Sequence, residues 1–374
     1  MEKILIDATG GKGWVGGVYY KNNILYSLTE NKQIMDNYKI LVVTNEEFVD
    51  VFEYTHENIE LKCIKYKNRR EKQLKILILS IVKNCKYIYH GSEEFYSYFG
   101  KTLIRWIPDF QHNYFPENFS KNEVEGRNNE FQRIAKEKNP IVLSSHDAYK
   151  TYIEKYDIEP EHVFVVPFVS YIAPVLRKIT NNDEDDCMKK FSLRKKNYIC
   201  VMNQFWKHKN HIVVLNALKD LYKDSYNDGF VYVFTGELKD YRNPEYINQI
   251  KKLLNNLDIK NRVRILGFID RKEQLILMKN AAYIIQPSLF EGWGTVVEDA
   301  KVLDKTILLS DIPVHREQKN EKCILFDPYD SEKLAGIIKS ENMKEHIDDI
   351  ENGLYDMAER AKEYSLGFQK LLGC

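Results

Sequence analysis

Short apolar runs alternate with longer segments of helical period along most of the chain, and this alternation constrains the fold more than any other feature. It is typical of a parallel β-sheet covered by helices, because each parallel strand needs a crossover to reach its neighbour. Strands are predicted at 3–7, 39–44, 61–66, 87–90, 103–107, 141–144 and 163–166, and again at 198–202, 231–234, 263–266, 283–286, 306–309 and 323–326. Segments such as 17–28, 122–137 and 212–221 have the helical pattern.

The polar stretch 178–197 has no clear period, and the alternation restarts after it. We therefore predict a linker or surface loop at 178–197. At 374 residues the chain is long for one hydrophobic core. The sequence thus predicts an α/β protein with two Rossmann-like domains that face a cleft, at residues 1–170 and 171–355.

Composition excludes several classes of function. The 55 basic residues balance the 55 acidic residues, so the net charge does not favour nucleic acid as a partner. The six cysteines include no C-x-x-C pair, which favours reduced thiols in a cytoplasmic protein. The chain passes directly from Met1 into an apolar strand, a start unlike a signal peptide, and no apolar run approaches the ~20 residues of a membrane span.

A glycine-rich loop at 8–17 follows the first predicted strand, and residues 11–16 satisfy G-x-G-x-x-G. A dinucleotide site also needs an acidic residue at the end of the second strand. Asp36 precedes that strand and Glu46 lies 30 residues beyond Gly16, so an NAD site is not predicted. The loop is interpreted as ligand-facing, with Gly16 and Gly17 beside a helix N-terminus; a tight turn is the alternative.

A second candidate motif covers residues 286–301, where a strand is followed by a glycine-bearing loop and a helix that begins near Thr295. Glu291 lies in the loop and Asp299 lies eight residues later, at the edge of the sheet where such folds bind ligands. Carboxylates there accept hydrogen bonds from the vicinal hydroxyls of a sugar or ribose. Backbone amides that can hold a diphosphate follow at Gly294, Thr295 and Val296. An acidic first turn that complements the helix dipole is the alternative, and it accounts for Glu298.

A basic motif follows the strand predicted at 198–202 and reads Asn-Gln-Phe-Trp-Lys-His-Lys-Asn-His at 203–211. Positive groups at a helix start oppose the helix dipole, so the arrangement is favourable only with a bound anion such as a pyrophosphate. Lys209 is the principal candidate, followed by Asn203 and Lys207. Exposure to solvent without a ligand is the alternative for Lys207.

Residues 290–300 resemble the E-x7-E element of family-4 retaining glycosyltransferases of GT-B fold, and the resemblance extends through 310–317 to 326–328. It implies that Glu291 contacts the donor sugar and that Asp299, one methylene shorter than the usual Glu, contacts the ribose. The family also has an Arg followed five residues later by a Lys that precedes Gly or Asn. Lys209 fills the second position, and Gln204 stands at the first.

The resemblance also bears on a histidine after the strand predicted at 103–107. Family members often carry His-Asp-Leu about eight residues before a Pro-Glu pair. Here that place reads Pro-Asp-Phe at 108–110, and the histidine is His112. Either His112 makes the sugar contact or this chain lacks it.

By resemblance, residues 1–170 form the acceptor side, residues 171–355 bind the donor, and residues 356–374 cross back to the first domain. The implied reaction retains configuration and moves a hexose or deoxyhexose from a nucleotide-diphosphate sugar to a glycan or lipid-linked acceptor. Surface polysaccharide synthesis, including lipopolysaccharide, is the setting. No cofactor or metal is expected. The alternatives are a GT-B-like nucleotide-sugar epimerase, a non-catalytic nucleotide-sugar-binding protein and an NAD-dependent dehydrogenase.

Two charged segments need interpretation. Asp183-Glu184-Asp185 is nominally a D-x-D metal motif, but it lies in the predicted linker and is interpreted as solvated charge. Residues 62–75 contain seven basic residues and one acidic residue, and an apolar run follows to Val82. Residues 62–82 fit either peripheral contact with the inner face of the plasma membrane or, more commonly, a crossover helix with a solvated face.

Overall fold

The computed structural model describes residues 1–11, 15–52, 56–89, 99–156, 158, 160–223, 229–256 and 260–374. These residues divide into two compact units. The first comprises Met1–Phe110, Glu125–Tyr171 and Met357–Cys374. The second comprises Gln111–Val124 and Ile172–Asp356. Each unit contains a parallel β-sheet with helices, so the predicted α/β class is confirmed.

The sheet of the first unit has the strand order β3-β2-β1-β4-β5-β6-β7, and all its pairings are parallel. Its central strand β1 is an apolar run because both faces of the sheet are covered, and Leu5 and Ile6 have no exposed surface. The strands are β1 (Glu2–Asp7), β2 (Tyr38–Thr44), β3 (Ile59–Cys63), β4 (Tyr87–Tyr89), β5 (Thr102–Trp106), β6 (Ile141–Leu143) and β7 (Val163–Val165).

Helices connect these strands and begin where the sequence offers caps. The side chain of Asn68 accepts from the backbone N–H of Glu71 at one helix start, and Ser145 does the same for Ala148 at another. The helices along residues 1–191 are α1 (Val15–Thr29), α2 (Lys32–Asn37), α3 (Arg69–Val82), α4 (Gln111–Tyr114), α5 (Lys121–Lys136), α6 (His146–Lys155), α7 (Ala173–Lys178) and α8 (Asn181–Phe191).

The sheet of the second unit has the order β10-β9-β8-β11-β12-β13, again with parallel pairings. The strands are β8 (Tyr198–Met202), β9 (Val231–Thr235), β10 (Val263–Ile265), β11 (Ile284–Gln286), β12 (Ile307–Ser310) and β13 (Cys323–Phe326). The helices are α9 (His211–Leu221), α10 (Pro244–Asn256), α11 (Arg271–Asn280), α12 (Thr295–Val302), α13 (Pro313–Gln318), α14 (Ser331–Glu341) and α15 (Ile350–Leu372).

The end of α15 belongs to the first unit. There Asn31 donates from Nδ2 to the Ser365 hydroxyl at 2.9 Å, and the Tyr38 hydroxyl donates to the Leu372 carbonyl at 3.1 Å. Among the described residues, no helix is both long and apolar enough to cross a bilayer. All six cysteines are free thiols.

The predicted linker at 178–197 is wrong over most of its length, because α8 occupies Asn181–Phe191. Thr180 and Asp183 form a capping box, in which each side chain accepts from the other's backbone N–H. Asp183 also pairs with Lys272 at 2.7 Å, and Glu184 is buried between Lys195 and Lys279. Asp183 and Glu184 are therefore structural partners of lysines, not solvated charge. Asp185, the second carboxylate of the D-x-D motif, is 59% exposed as predicted and lies 3.8 Å from Lys195.

The predicted strands are otherwise confirmed within a few residues at their ends. The largest shift is at β3, which was predicted at 61–66 and lies at Ile59–Cys63. Ile64 is buried although it lies beyond Cys63, the last residue of β3 that pairs with β2. Its apolar side chain therefore made the strand pattern in the sequence continue past the end of β3. His90, the last residue of the strand predicted at 87–90, lies outside the described residues, as does Gly13 of the glycine loop.

Candidate active site

The order of the second sheet defines where a ligand is expected. From β8 the chain goes to β9 on one side, while β11 lies on the other. Ligands of open α/β sheets bind beyond the carboxyl ends of the strands at such a switch point. The basic motif follows β8 and Glu291 follows β11, so both stand at this point. The two loops are joined directly, because the Leu289 N–H donates to the His208 carbonyl at 2.7 Å.

Glu291 is held through one of its two carboxylate oxygens. Its Oε1 accepts from Lys209 Nζ at 2.6 Å, from the Ser288 hydroxyl at 2.7 Å and from Gln286 Nε2 at 3.0 Å. Within the described part of the chain, no hydrogen bond reaches Oε2. One oxygen therefore fixes the side chain, and the other is available to a ligand hydroxyl.

The Glu291–Lys209 pair is charged. Burial is the largest single effect on the pKa of Glu291 and raises it. The charge and hydrogen bond of Lys209, together with the nearby His315 and His208, outweigh burial and lower that pKa to about 2. The side chains of Glu291 and Lys209 are 10% and 18% exposed, so solvent screens their attraction only partly. The site thus presents an anion beside a cation.

Asn203 is buried and contacts Gln286, not Glu291 or Lys209. It exchanges two hydrogen bonds with Gln286, from Asn203 Nδ2 to Gln286 Oε1 at 2.9 Å and from Gln286 Nε2 to Asn203 Oδ1 at 3.2 Å. Because Gln286 also donates to Glu291, Asn203 acts on the carboxylate through Gln286. Its predicted direct contact with the donor stays a prediction.

The other residues of the basic motif differ in exposure. Gln204 accepts from the Glu237 N–H at 3.0 Å, whereas the side chain of Lys207 is exposed and its backbone N–H donates to Asp240 at 3.0 Å. Gly236, in the left-handed region at φ +100°, allows the loop after β9 to approach, since a Cβ there would lie 2.5 Å from the Asn203 carbonyl oxygen. Because the side chain of Lys207 is exposed, it can extend to a bound anion.

His315 is a buried residue that the sequence did not single out. Its Nδ1 lies 2.9 Å from the Ser310 carbonyl oxygen, which can only accept, so Nδ1 carries the proton. Burial lowers the pKa of His315 to about 4, and the ring is therefore neutral near pH 7. Its Nε2 is then a buried acceptor with no hydrogen-bond partner among the described residues. The Ser310 hydroxyl connects this ring to the carboxylate loop by donating to the Ser288 carbonyl at 2.6 Å.

The start of α12 presents the amides that the sequence predicts. The Gly294 N–H is already engaged by Gln318 Oε1 at 3.0 Å. Thr295 and Val296 are partly exposed, and no side chain caps this helix start. Their N–H groups therefore point past the first turn with no intrahelical acceptor. Glu298 does lie in the first turn, as predicted, but it is fully buried and bonded to Lys301 and Gln318.

Asp299 is fully buried in a bidentate ion pair with Arg271. The Arg271 NH1 and NH2 groups donate to Oδ2 and Oδ1, each at 2.6 Å. Both oxygens that would contact a ribose are thus occupied. The ribose contact predicted for Asp299 requires either that Arg271 moves away or that Arg271 makes the contact in place of Asp299. Arg271 gave no signal in the sequence, because it stands at the start of α11 outside any motif.

The remaining predicted residues lie in separate places. His112 is buried in α4, within the second unit. The ring centroids of Tyr114 and Phe115 lie 5.3 and 6.4 Å from that of Phe290, the neighbour of Glu291. Gly16 and Gly17 begin α1 in the first unit, with Gly16 exposed and Gly17 buried. In the described ranges, no group of three His, Cys, Asp or Glu side chains is arranged to hold a metal ion.

Comparison with known proteins agrees with this geometry. Residues 183–362 match the family described as "Glycosyl transferases group 1". The O-antigen chain mannosyltransferase RfbU of Salmonella typhimurium is 28% identical over 160 residues, 42% of this chain. That alignment spans 41% of RfbU, so the match covers about two fifths of the relative's length.

Solved structures match the whole chain. Anabaena Alr3699/HepE in complex with UDP-glucose has a TM-score of 0.65 at 16% identity, covering 100% of this chain and 97% of that one. WaaG, described as a glycosyltransferase involved in lipopolysaccharide biosynthesis, has a TM-score of 0.60 at 12% identity, covering 99% and 98%. The predicted GT-B fold is therefore confirmed. The match of residues 183–362 to this family agrees with the resemblance found in the sequence.

Proposed function

We propose that the protein is a retaining glycosyltransferase that moves a hexose or deoxyhexose from a nucleotide-diphosphate sugar to a glycan or lipid-linked acceptor. The observation that carries the proposal is the Glu291–Lys209 pair at the switch point of the second sheet. Glu291 keeps Oε2 for a sugar hydroxyl, and Lys209 places a positive charge within 2.6 Å of the same carboxylate.

In this proposal the residues act mainly by stabilising charge. The departing diphosphate gains negative charge, and Lys209, Lys207 and the N–H groups of Thr295 and Val296 offset it. The positive end of α12 adds to that field. By family resemblance, the leaving diphosphate takes the proton of the acceptor hydroxyl on the face that it vacates, so configuration is retained. The lysines supply the charge that a metal would otherwise provide.

His315 Nε2 and His112 extend the proposed sugar site. The Nε2 of His315 is a buried acceptor beside the carboxylate loop, which suits a second hydroxyl of the donor. His112 is proposed for the sugar contact because Tyr114, on the same helix α4, packs against Phe290, the neighbour of Glu291. Asp299 is proposed to orient Arg271, which then stands in place of the usual ribose carboxylate.

The relatives suggest the biological setting. RfbU is a mannosyltransferase of the O-antigen chain, and WaaG takes part in lipopolysaccharide biosynthesis. We therefore propose surface polysaccharide synthesis, with a hexose donor and a glycan or lipid-linked saccharide as acceptor. HepE binds UDP-glucose, so UDP sugars are the first donors to test and GDP sugars the second.

The first test compares Glu291→Gln with Glu332→Gln, a control at an exposed glutamate on α14. Release of UDP or GDP from UDP- and GDP-hexoses is measured with and without a lipid-linked saccharide extract. We expect Glu291→Gln to lower turnover about 100-fold or more, because it removes a preorganised charge from the reacting centre. Glu332→Gln should leave turnover unchanged.

Product analysis distinguishes the alternatives. Proton NMR of the glycosylated product should show the anomeric configuration of the donor sugar. An epimerised nucleotide sugar without an acceptor would identify an epimerase. Nucleotide-sugar binding with no turnover in any combination would identify a binding protein. Wild-type turnover by Glu291→Gln would exclude the assigned role of this carboxylate.

A further inference from the structure

Helix α3 exposes an apolar stripe on the side that faces away from the core of the first unit. Its members are aliphatic side chains at i, i+4, i+7 and i+8, which fall on one face of a helix. They are Leu74, Ile78, Ile81 and Val82, which are 55%, 48%, 47% and 73% exposed. The opposite face is buried, with Ile76 and Leu77 packed beside Leu5 and Val43. The helix is therefore apolar on both sides although only one contacts protein.

The surroundings of the stripe are strongly basic. Residues 61–83 contain eight Lys or Arg and one acidic residue, Glu71, in a chain with no net charge. Four of these basic residues are ion-paired with carboxylates, namely Lys65, Lys72, Lys75 and Lys83. Arg70 lies one helical turn before Leu74 on the same face. Arg70 and Lys62 are exposed and form no ion pair within the described residues. An apolar stripe thus adjoins unneutralised positive charge.

We propose that α3 rests on an anionic phospholipid surface, with the stripe at the acyl boundary and Arg70 and Lys62 among the headgroups. Aliphatic side chains gain free energy there by leaving water, and cations gain it from the negative surface potential. A second copy of the chain fits less well. A symmetric contact through α3 would bring two basic surfaces together, and like charges across an interface oppose binding.

The docking surface goes beyond the proposed function and does not depend on it. If the acceptor is lipid-linked, the same contact concentrates the protein where its acceptor lies, and only this consequence rests on the proposed reaction. The contact also sharpens the interpretation of residues 62–82. The segment is a crossover helix, as the commoner alternative predicted, but its outer face is aliphatic toward the C-terminal end instead of polar.

Vesicle sedimentation tests the proposal with the full chain. Vesicles of phosphatidylcholine alone are compared with vesicles that also contain phosphatidylglycerol. The wild type should bind the anionic vesicles, and added salt should weaken that binding. Leu74→Ser/Ile78→Ser should lower vesicle affinity about tenfold by removing apolar anchors. Arg70→Glu should lower it at least about fivefold.

Met343→Ser/Ile347→Ser is the matched control, because these side chains are 74% and 76% exposed in the second unit. This variant should bind anionic vesicles like the wild type. All substituted side chains are at exposed positions, so the Tm of each variant should equal that of the wild type. If the Tm of Leu74→Ser/Ile78→Ser falls, the vesicle affinity of Arg70→Glu alone decides the test. Anionic-vesicle binding that survives both α3 variants overturns the proposal. The proposal is also overturned if the wild type is a dimer that the α3 variants dissociate while their vesicle binding stays unchanged.

Discussion

The side chain of Glu291 is ordered before any ligand arrives. Three donors converge on Oε1, from Lys209, Ser288 and Gln286, and Asn203 holds Gln286 in turn. Little side-chain entropy remains to be lost when a hydroxyl binds Oε2, and a second layer of hydrogen bonds keeps the geometry. The carboxylate is thus prepared for recognition by residues that need not touch the ligand.

The Arg271–Asp299 pair leads to the first prediction at the residue scale. Arg271→Met leaves a fully buried carboxylate without its ion pair, and we expect the free energy of unfolding to fall by about 3–5 kcal/mol. Asp299→Asn should cost less, because the side chain of Arg271 is 14% exposed and keeps Gln274 as a partner. Urea denaturation of both variants measures the difference.

A double variant separates stability from binding at this pair. Arg271→Met/Asp299→Leu removes both charges, so much of the lost stability should return. Calorimetric titration with UDP and GDP then reports whether Arg271 contributes to nucleotide affinity. An Arg271→Met variant as stable as Asp299→Asn would contradict the buried-pair interpretation, whatever its affinity.

Part of the candidate site was accessible from sequence because motif residues directly follow strands. Lys209 and Glu291 follow β8 and β11, and parallel strands bring such residues to one edge. Arg271 and His315 were missed because their partners, Asp299 and the Ser310 carbonyl, are defined by helix placement and backbone position. No spacing rule encodes those contacts.

At the scale of elements, the central strands were predictable because both faces of each sheet are covered there, which makes these strands continuous apolar runs. The edge strand β3 is exposed at residues 60–63, and its bounds were predicted least well. Helix α8 was missed for another reason. Its buried apolar residues are few, Cys187 and Met188, and the charges that stabilise it pair with Lys195, Lys272 and Lys279 elsewhere in the chain. The one local signal was the capping box of Thr180 and Asp183.

That capping box leads to a prediction for α8. Thr180→Ala removes the side-chain acceptor of the Asp183 N–H, and we expect a loss of about 1 kcal/mol in the free energy of unfolding. Thr180→Ser keeps the hydroxyl and should cost only a few tenths of a kcal/mol. Chemical denaturation of the two variants gives the comparison. Equal losses for Ala and Ser would mean that the methyl group, not the cap, stabilises this helix start.

At the scale of the whole molecule, zero net charge conceals an uneven distribution. Of the eight basic residues within 61–83 of the first unit, four form ion pairs, while Arg70 and Lys62 form none within the described residues. The second unit buries carboxylates against lysines and arginine, as at Glu184 and Asp299. Charge balance over the chain therefore does not favour a general affinity for polyanions and still permits contact with one local anionic surface. Sequence totals describe solubility, whereas the fold determines which charges remain unpaired.

Buried histidines make stability depend on pH. Burial lowers the pKa of His208 and of His211 to about 3 and that of His315 to about 4, from an ordinary value of 6.5. Between these values and 6.5 the unfolded chain binds protons that the folded chain does not. The stability is complete above pH 6.5 and falls as pH decreases, by up to about 1.4 kcal/mol per pH unit for each histidine.

We therefore expect the three histidines together to make the free energy of unfolding about 4 kcal/mol lower at pH 5.5 than at pH 7.5, at constant ionic strength. Glu291, with its pKa lowered to about 2, adds stability that is lost only below about pH 4.5, so it does not contribute in this range. His315→Gln cannot take up the proton in the unfolded state and should show about two thirds of the wild-type loss. The same loss in His315→Gln as in the wild type would place the proton uptake at other groups. No loss in the wild type would contradict the neutral state of the three rings.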